Sequence, residues 1–454
     1  MPFATRKTAL VPLAAVAALG LAAVADAQQS VRTTSIASPA NANGSSDNST
    51  FSQDNRLVRL MAFDSGATNL VSGDGNGRRD VILFSRGGGL GNLAGGVSRV
   101  SVGAGGREGN GDSTKPSIDG DTKRAPHCVT FQSTASNLAK GDASADSDIF
   151  MRELRGNRTS LVSEGHSNAR NAVIDGECDF VTYEAGGAVF VRDLEASKTY
   201  RLASGSNPDQ QTNGKGVVYE RGGQVYHQAF QKVNLPGGRG RTKGIRRLGR
   251  PTLVSAGTAG AGNGASRNPS ADDNGHYMAF ESTATNLCLG TCRGVSEDRN
   301  GAVSDIFRRT ISRKAPTNDR MQMASYSAGV NEQGNGPSNN PSMTGAGENV
   351  AFDSAATNLR QNSSTEADPN GATRDIFYWN FPRRRGFGNV SRESRPGGGG
   401  AFNGASTNPG TSNRSNYIGF TSSQTGQAGE ANGGGIEDVF IRFLGGGPAG
   451  SVHG

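Results

Sequence analysis

The chain has 454 residues, a formal charge of +7, 33% apolar and 6% aromatic residues, and 67 glycines. That balance suits either a disordered chain or many short strands with generous loops; the apolar residues fall in period-2 bursts between Gly, Asn, Ser and Asp turns, which favours strands. No helix-period segment and no run long enough to span a bilayer follows residue 27. Residues 1–27 themselves read as a secretory signal peptide: Arg6 and Lys7 form the basic head, an Ala/Leu/Val run extends from Ala9 to Ala25, and Ala25-Asp26-Ala27 fits the small-x-small cleavage rule. The mature protein is then expected to be secreted or periplasmic, to start near Gln28 and to be monomeric. Losing Arg6, Lys7 and Asp26 changes its charge from +7 to +6.

From there to about residue 445 one phrase recurs: an apolar burst, a polar loop, and a second burst that opens on Asp. The first bursts are Met61-Ala62-Phe63, Val129-Thr130-Phe131, Met278-Ala279-Phe280, Val350-Ala351-Phe352 and Ile418-Gly419-Phe420. Their partners begin at Asp80, Asp148, Asp305, Asp375 and Asp438. Two trimmed copies, Val181-Thr182-Tyr183 and Val217-Val218-Tyr219, replace the loop with Gly186-Gly187 and Gly222-Gly223, the chemistry of a tight hairpin. The count is seven. Each hairpin is preceded by a segment such as Lys115-Pro116-Ser117-Ile118 and followed by a polar strand such as Arg158-Thr159-Ser160-Leu161, so one unit is four strands, A to D.

Repeated four-stranded antiparallel units predict an all-β, seven-bladed β-propeller. The last unit runs out at Leu444 without a D strand, while residues 31–38 match the D strands elsewhere, so an N-terminal strand is expected to close the ring. Residues 446–454 read as a flexible tail.

The Pro-Ser-x-Asp-Gly lead, the Ala-Phe-x-Ser strand and the Asp-Ile-Phe strand together resemble the PD40, or WD40-like, repeat of TolB-like bacterial β-propellers, across essentially the whole mature chain. The resemblance implies an exported propeller that commonly serves as a scaffold for protein contacts. It departs from TolB in blade number and in lacking a separate amino-terminal domain, and from true WD40 blades in lacking Trp-Asp pairs, Trp379 being the only tryptophan.

Four cysteines fit an oxidising compartment. Cys288 and Cys292 sit in one hairpin loop and are expected to bond to each other, with no further Cys or His at zinc spacing. Cys128 and Cys178 precede the same strand in consecutive repeats and are either an inter-repeat bridge or two buried thiols.

Three features could carry function. The B-to-C loops alternate carboxylate and amide oxygens around glycine: Asp74, Asn76 and Asp80; Asp142, Asp146 and Asp148; Asp298, Asn300 and Asp305; Asp368, Asn370 and Asp375. Such donors suit calcium, or else cap ordinary turns. Asn-Gly-x-Ser precedes the five long-loop blades and is missing from the trimmed two, so it is expected to touch those loops. Finally, residues 231–250 form a basic insert whose Arg239, Arg241, Lys243, Arg246, Arg247 and Arg250, joined by Arg383, Arg384 and Arg385, are expected to attract a polyanion such as an acidic polysaccharide, lipopolysaccharide or acidic protein, unless they are only a solvated loop. Nucleic acid is disfavoured by the export signal and the scarcity of stacking groups. With no catalytic motif, the expected function is a non-enzymatic protein- or polyanion-binding scaffold. The alternatives are a polysaccharide-active hydrolase or lyase at the central channel, and a calcium-stabilised structural ring.

Overall fold

The computed structural model describes residues 30–32, 42–54, 60–85, 96–121, 125–142, 144–234, 243–258, 260–288, 292, 297–311, 321–328, 330–360, 368–381, 388–395, 402–414, 417–424 and 436–444. The expected signal peptide, the flexible tail and residues 33–38 of the expected closing strand lie outside them.

Seven antiparallel sheets, each ordered A-B-C-D from the axis outward, form the blades of a propeller. Blade 1 is Ser46–Phe51, Leu60–Ser65, Asp80–Ser85 and Gly96–Arg99; blade 2 is Ser113–Ile118, Cys128–Ser133, Asp148–Glu153 and Arg158–Leu161. Blade 3 is Arg170–Ile174, Phe180–Ala185, Ala188–Asp193 and Lys198–Ser204; blade 4 is Ser206–Gln210, Gly216–Arg221, Gln224–Asn234 and Thr252–Leu253, with Lys243–Leu248 as a fifth strand on the far end of the third. Blade 5 is Ser266–Ala271, Tyr277–Ser282, Asp305–Thr310 and Met321–Met323; blade 6 is Ser338–Met343, Asn349–Ser354, Asp375–Asn380 and Asn389–Arg392. Blade 7 is Ser406–Thr411, Tyr417–Ser422 and Asp438–Phe443, with Ser30–Arg32 running antiparallel to the last of these, Val31 opposite Ile441.

The Val-Ala-Phe phrase has a packing reason. Val350 and Phe352 point to one face of the sheet and pack on Ala279 and Ile306 of blade 5, while Ala351 points to the other and meets Ile418 and Phe420 of blade 7. Large side chains thus face the preceding blade and small ones accept the next, a complementarity that fills the wedge between tilted sheets. One such cluster lies at each junction, including Phe51, Met61 and Phe63 of blade 1 against Val439 and Ile441 of blade 7. At each junction with a long loop the first residue of strand A is also bonded backward, as in Ser113 N–H to Arg79 O at 2.7 Å and Ser46 N–H to Glu437 O at 2.8 Å.

In blades 3 and 4 the glycine turns take positive φ, 52° and 72° at Gly186 and Gly187, as the tight hairpin requires. Both cysteine pairs are disulfides, Cys128–Cys178 joining blade 2 to blade 3 and Cys288–Cys292 lying within one loop. Among the described residues no helix is long and apolar enough to cross a membrane.

The basic insert corrects one expectation. The insert does connect strands C and D of blade 4, since Thr252–Leu253 returns to pair with Tyr226 and His227, but it is not a simple loop: strand C is 11 residues long and its far end pairs with Lys243–Leu248 as a two-stranded ribbon extending the blade. Ile245 is buried and anchors the ribbon to the cluster formed by Phe180, Tyr219 and Phe230.

Candidate functional site

Each Asn-Gly connector clasps the B-to-C loop of its own blade. Asn110 accepts from the Ser136 N–H at 2.8 Å, donates to Ser136 Oγ at 3.0 Å, and its own N–H bonds Asn137 Oδ1 at 3.0 Å. Asn43, Asn263 and Asn335 repeat all three contacts with Thr68-Asn69, Thr285-Asn286 and Thr357-Asn358. The glycine follows from the same contact, because a Cβ on Gly111 would stand 2.6 Å from the Thr134 carbonyl carbon. The loop then reaches forward: Asn76, Asn300 and Asn370 donate to the carbonyls of Gly109, Gly334 and Phe402 in the next blade.

The Asp that opens strand C is fastened as well. Asp80, Asp148, Asp305 and Asp375 each accept, at 2.6 Å, from the hydroxyl two residues past the end of strand D: Ser101, Ser163, Ser325 and Ser394. Its second oxygen shows what sits between the predicted metal ligands. In blade 1 the Arg99 guanidinium lies 3.4 Å from Asp74, 3.0 Å from Asp80 and 2.5 Å from Glu108. In blade 6 Arg392 lies 2.8 Å from Asp368 and 3.8 Å from Asp375. In blade 5 the Gln333 amide donates to Asp298 at 2.9 Å and Asp305 at 2.7 Å. Burial pushes the Asp375 and Asp305 carboxyls up, to about 6 and about 7.

Blade 2 differs. Leu161 occupies the register position that Arg99 and Arg392 fill in blades 1 and 6. Asp142 accepts from the Ser144 N–H at 3.2 Å through one oxygen, and its other oxygen is buried without a donor. Burial raises both Asp142 and Asp148, with repulsion from Asp148 adding to the rise in Asp142 and repulsion from Asp146 to that in Asp148. Asp146 is exposed. Among the described residues the one group of three His, Cys, Asp or Glu ligands within 4.8 Å is Asp119, Cys128 and Cys178, and its two sulfurs are already bonded together.

The channel holds a feature the sequence reading missed. Every A strand bulges at one residue with φ between 46° and 54°: Asn48, Lys115, Asn171, Asn207, Asn268, Asn340 and Asn408. Asparagine tolerates that conformation, and the proline that follows in five blades needs no ladder bond at a bulge. In six of the seven, all but Asn48, the freed N–H reaches a side chain on strand B of the blade before, as in Lys115 to Asp64 at 2.9 Å, Asn268 to Glu220 at 2.8 Å and Asn340 to Glu281 at 2.9 Å. The recurring Asn-Pro was the available signal. These residues line a cavity of about 390 Å³. Asp209, on its wall, accepts from Gln210 and Ala271 N–H groups and is raised to about 6 by burial.

Of the predicted polyanion-binding residues, Arg246, Arg247 and Arg250 are exposed at the blade 4 ribbon, and Lys243 opens its return strand. Arg239, Arg241, Arg383, Arg384 and Arg385 lie outside the described residues. Two neighbouring cations point inward instead. Lys232 is 3.5 Å from Asp175 and Glu177 and 3.6 Å from Asp179. Arg308, 2% exposed, donates to Gly347 O at 2.6 Å beneath the Tyr277 ring.

The topology and packing define a seven-bladed, all-β propeller with an elaborated loop face. Comparison with protein-family models finds no match, and comparison with curated proteins finds none. Solved structures similar to the chain include the β-propeller domain of the Trilobed protease from Pyrococcus furiosus, 8% identical over 88% of this chain and 95% of that one, with a TM-score of 0.47. A Mycobacterium tuberculosis puromycin-hydrolyzing peptidase is 11% identical over 87% and 52%, TM-score 0.46. TolB from Acinetobacter baumannii is 11% identical over 66% and 60%, TM-score 0.32.

Proposed function

We propose that the protein is an exported, non-enzymatic binding scaffold of the PD40, TolB-like kind, holding an anionic partner at the blade 4 ribbon. The observation that supports this most is the trio Arg246, Arg247 and Arg250, exposed and without an acidic partner among the described residues, on a ribbon whose Ile245 is fixed in the core. A rigid basic edge presents its charges without the ordering cost of a loop. The two disulfides suit an oxidising compartment outside the cytoplasm.

The test is retention on an immobilised acidic polysaccharide or lipopolysaccharide across a salt gradient, comparing the mature protein with a variant carrying Arg246→Ser, Arg247→Ser and Arg250→Ser. Retention that falls with salt and drops at least tenfold in the variant is expected. Equal retention of the two proteins removes the ribbon from the binding surface.

A second reading, calcium as a structural ion, is favoured in blade 2, where Asp142 keeps a buried oxygen without a donor and no guanidinium stands between Asp142 and Asp148. Millimolar Ca²⁺ should then raise the thermal midpoint over that in EDTA, by about 2.7 kcal/mol at a hundredfold excess over Kd. Asp142→Ala should abolish the rise. An unchanged midpoint leaves the loop an ordinary turn.

A further inference from the structure

Arg152 and Arg192 hold the same register position on strand C of blades 2 and 3, opposite Val129 and Val181, and each donates to the threonine across from it on strand D, Thr159 at 3.1 Å and Thr199 at 3.2 Å. Their other sides differ. Arg192 faces Glu164, 3.8 Å away, just past strand D of the preceding blade. The residue equivalent to Glu164 one blade earlier is Val102, because Ser101 and Ser163 make the same bond to the opening Asp of strand C. Arg442 of blade 7, at the same register position again, also has a carboxylate, Glu393 at 3.0 Å.

Arg152 therefore keeps the guanidinium of this arrangement and lacks its acid. It is 7% exposed and has no carboxylate partner among the described residues; Asn157 Oδ1 at 3.4 Å and Thr159 are its side-chain contacts. Burial lowers its pKa, with nothing opposing. The group borders a crevice of about 660 Å³ between blades 1 and 2, whose apolar wall is Leu70, Val71, Val97 and Val102 and whose lip is the open turn at Gly105 and Gly106. Arg99, also at its edge, is already neutralised by Asp74, Asp80 and Glu108. A buried, unneutralised guanidinium at the edge of a ligand-sized crevice, polar over most of its lining and apolar along one wall, is the pairing that takes an oxyanion head on a short apolar body.

We propose that the crevice between blades 1 and 2 binds a small organic oxyanion, a carboxylate or phosphate monoester with a short apolar chain, whose head replaces Glu164 at Arg152. This site is distinct from the blade 4 ribbon and does not depend on the reading given to it.

The experiment is isothermal titration of the mature protein with hexanoate, hexyl phosphate and inorganic phosphate at constant ionic strength, with Arg152→Gln and Val102→Glu alongside. Val102→Glu supplies the carboxylate that Arg192 already has, and so should fill the site while keeping the arginine paired and the fold intact. Saturable binding to the wild type, at least tenfold weaker in both variants, is expected. Hexanoate and hexyl phosphate separate a carboxylate from a phosphate head, and inorganic phosphate shows whether the apolar wall contributes. Equal binding by wild type and Val102→Glu, or no saturable binding of any of the three probes to the wild type, overturns the proposal even if Arg152→Gln proves unstable.

Discussion

Phe352 and Phe377 stand directly opposite on adjacent strands of blade 6, ring centroids 5.9 Å apart and planes 22° from parallel. The same stacked pair recurs as Phe131–Phe150, Phe280–Phe307 and Phe420–Phe440, and blade 1 substitutes Ile82 opposite Phe63. Both rings are essentially inaccessible to water. Phe352→Ala should cost about 3–5 kcal/mol in urea unfolding, through lost contacts and a cavity. Phe377→Ile, which copies blade 1, should cost less than half of that.

Arg99 acts as a built-in cation for Asp74, Asp80 and Glu108. Arg99→Met would strand buried charge, and a loss on the order of 3 kcal/mol is expected. The vacated space is walled by oxygens, so this variant should regain part of its thermal midpoint in millimolar Ca²⁺. Failure to recover would show that these oxygens cannot close around a hard cation.

Asp209 and His227 oppose each other in acid. Asp209, raised by burial from 3.8 to about 6, binds its proton more tightly when folded, so its contribution is complete at low pH and is lost as pH rises toward 6. His227, lowered by burial from 6.5 to about 4, is held neutral against Gln211, and its contribution is lost as pH falls through that range. Relative to wild type, Asp209→Asn should gain a stability that climbs from pH 4 to 6.5, and His227→Gln one that declines. Chemical denaturation at four pH values would show parallel curves if neither group titrates this way.

Cys128 and Cys178 close a loop 50 residues apart, Cys288 and Cys292 one of 4. Replacing the first pair with serine should cost about 4 kcal/mol and the second clearly less, since loop entropy grows with length. Equal losses would locate the stabilisation in the folded state.

The strand Ser30–Arg32 pairs antiparallel with Asp438–Phe443, whose other described neighbour is Tyr417–Ser422 on the opposite side. A chain truncated to begin at residue 40 should melt lower than one that begins at residue 28 and aggregate sooner, by light scattering. Unchanged behaviour would mean that the seven packed junctions hold the ring without this strand.

The blades were legible because the hydrophobic period and the Gly-Gly turns report local geometry directly: Val350-Ala351-Phe352 encodes both faces of its strand. The touching of Asn110 and its B-to-C loop could also be read, from two motifs that appear and vanish together. What fills the space between Asp74 and Asp80 could not, because Arg99 lies 19 residues beyond Asp80 and only strand pairing brings it back. That the basic insert pairs as a ribbon is hidden in the sequence, because its glycines and basic residues mask the alternation around Ile245. Lys232 turned inward for a similar reason, its acids Asp175, Glu177 and Asp179 belonging to the neighbouring blade.

The bulged residues of the A strands make six junctions alike, each sending an N–H back to a side chain of the blade before, from Lys115 to Asp64 through Asn408 to Asp353. Between blade 7 and blade 1 the polarity reverses. There the acceptor is Asp47, carried by the later blade in the ring, and the donors are Thr421 and Asn408 of the earlier one. Six locks share one key and the seventh has its own. The first and last blades are thus matched by a contact of opposite polarity to the other six, so the chain carries in its side chains an instruction for where the circle must be joined.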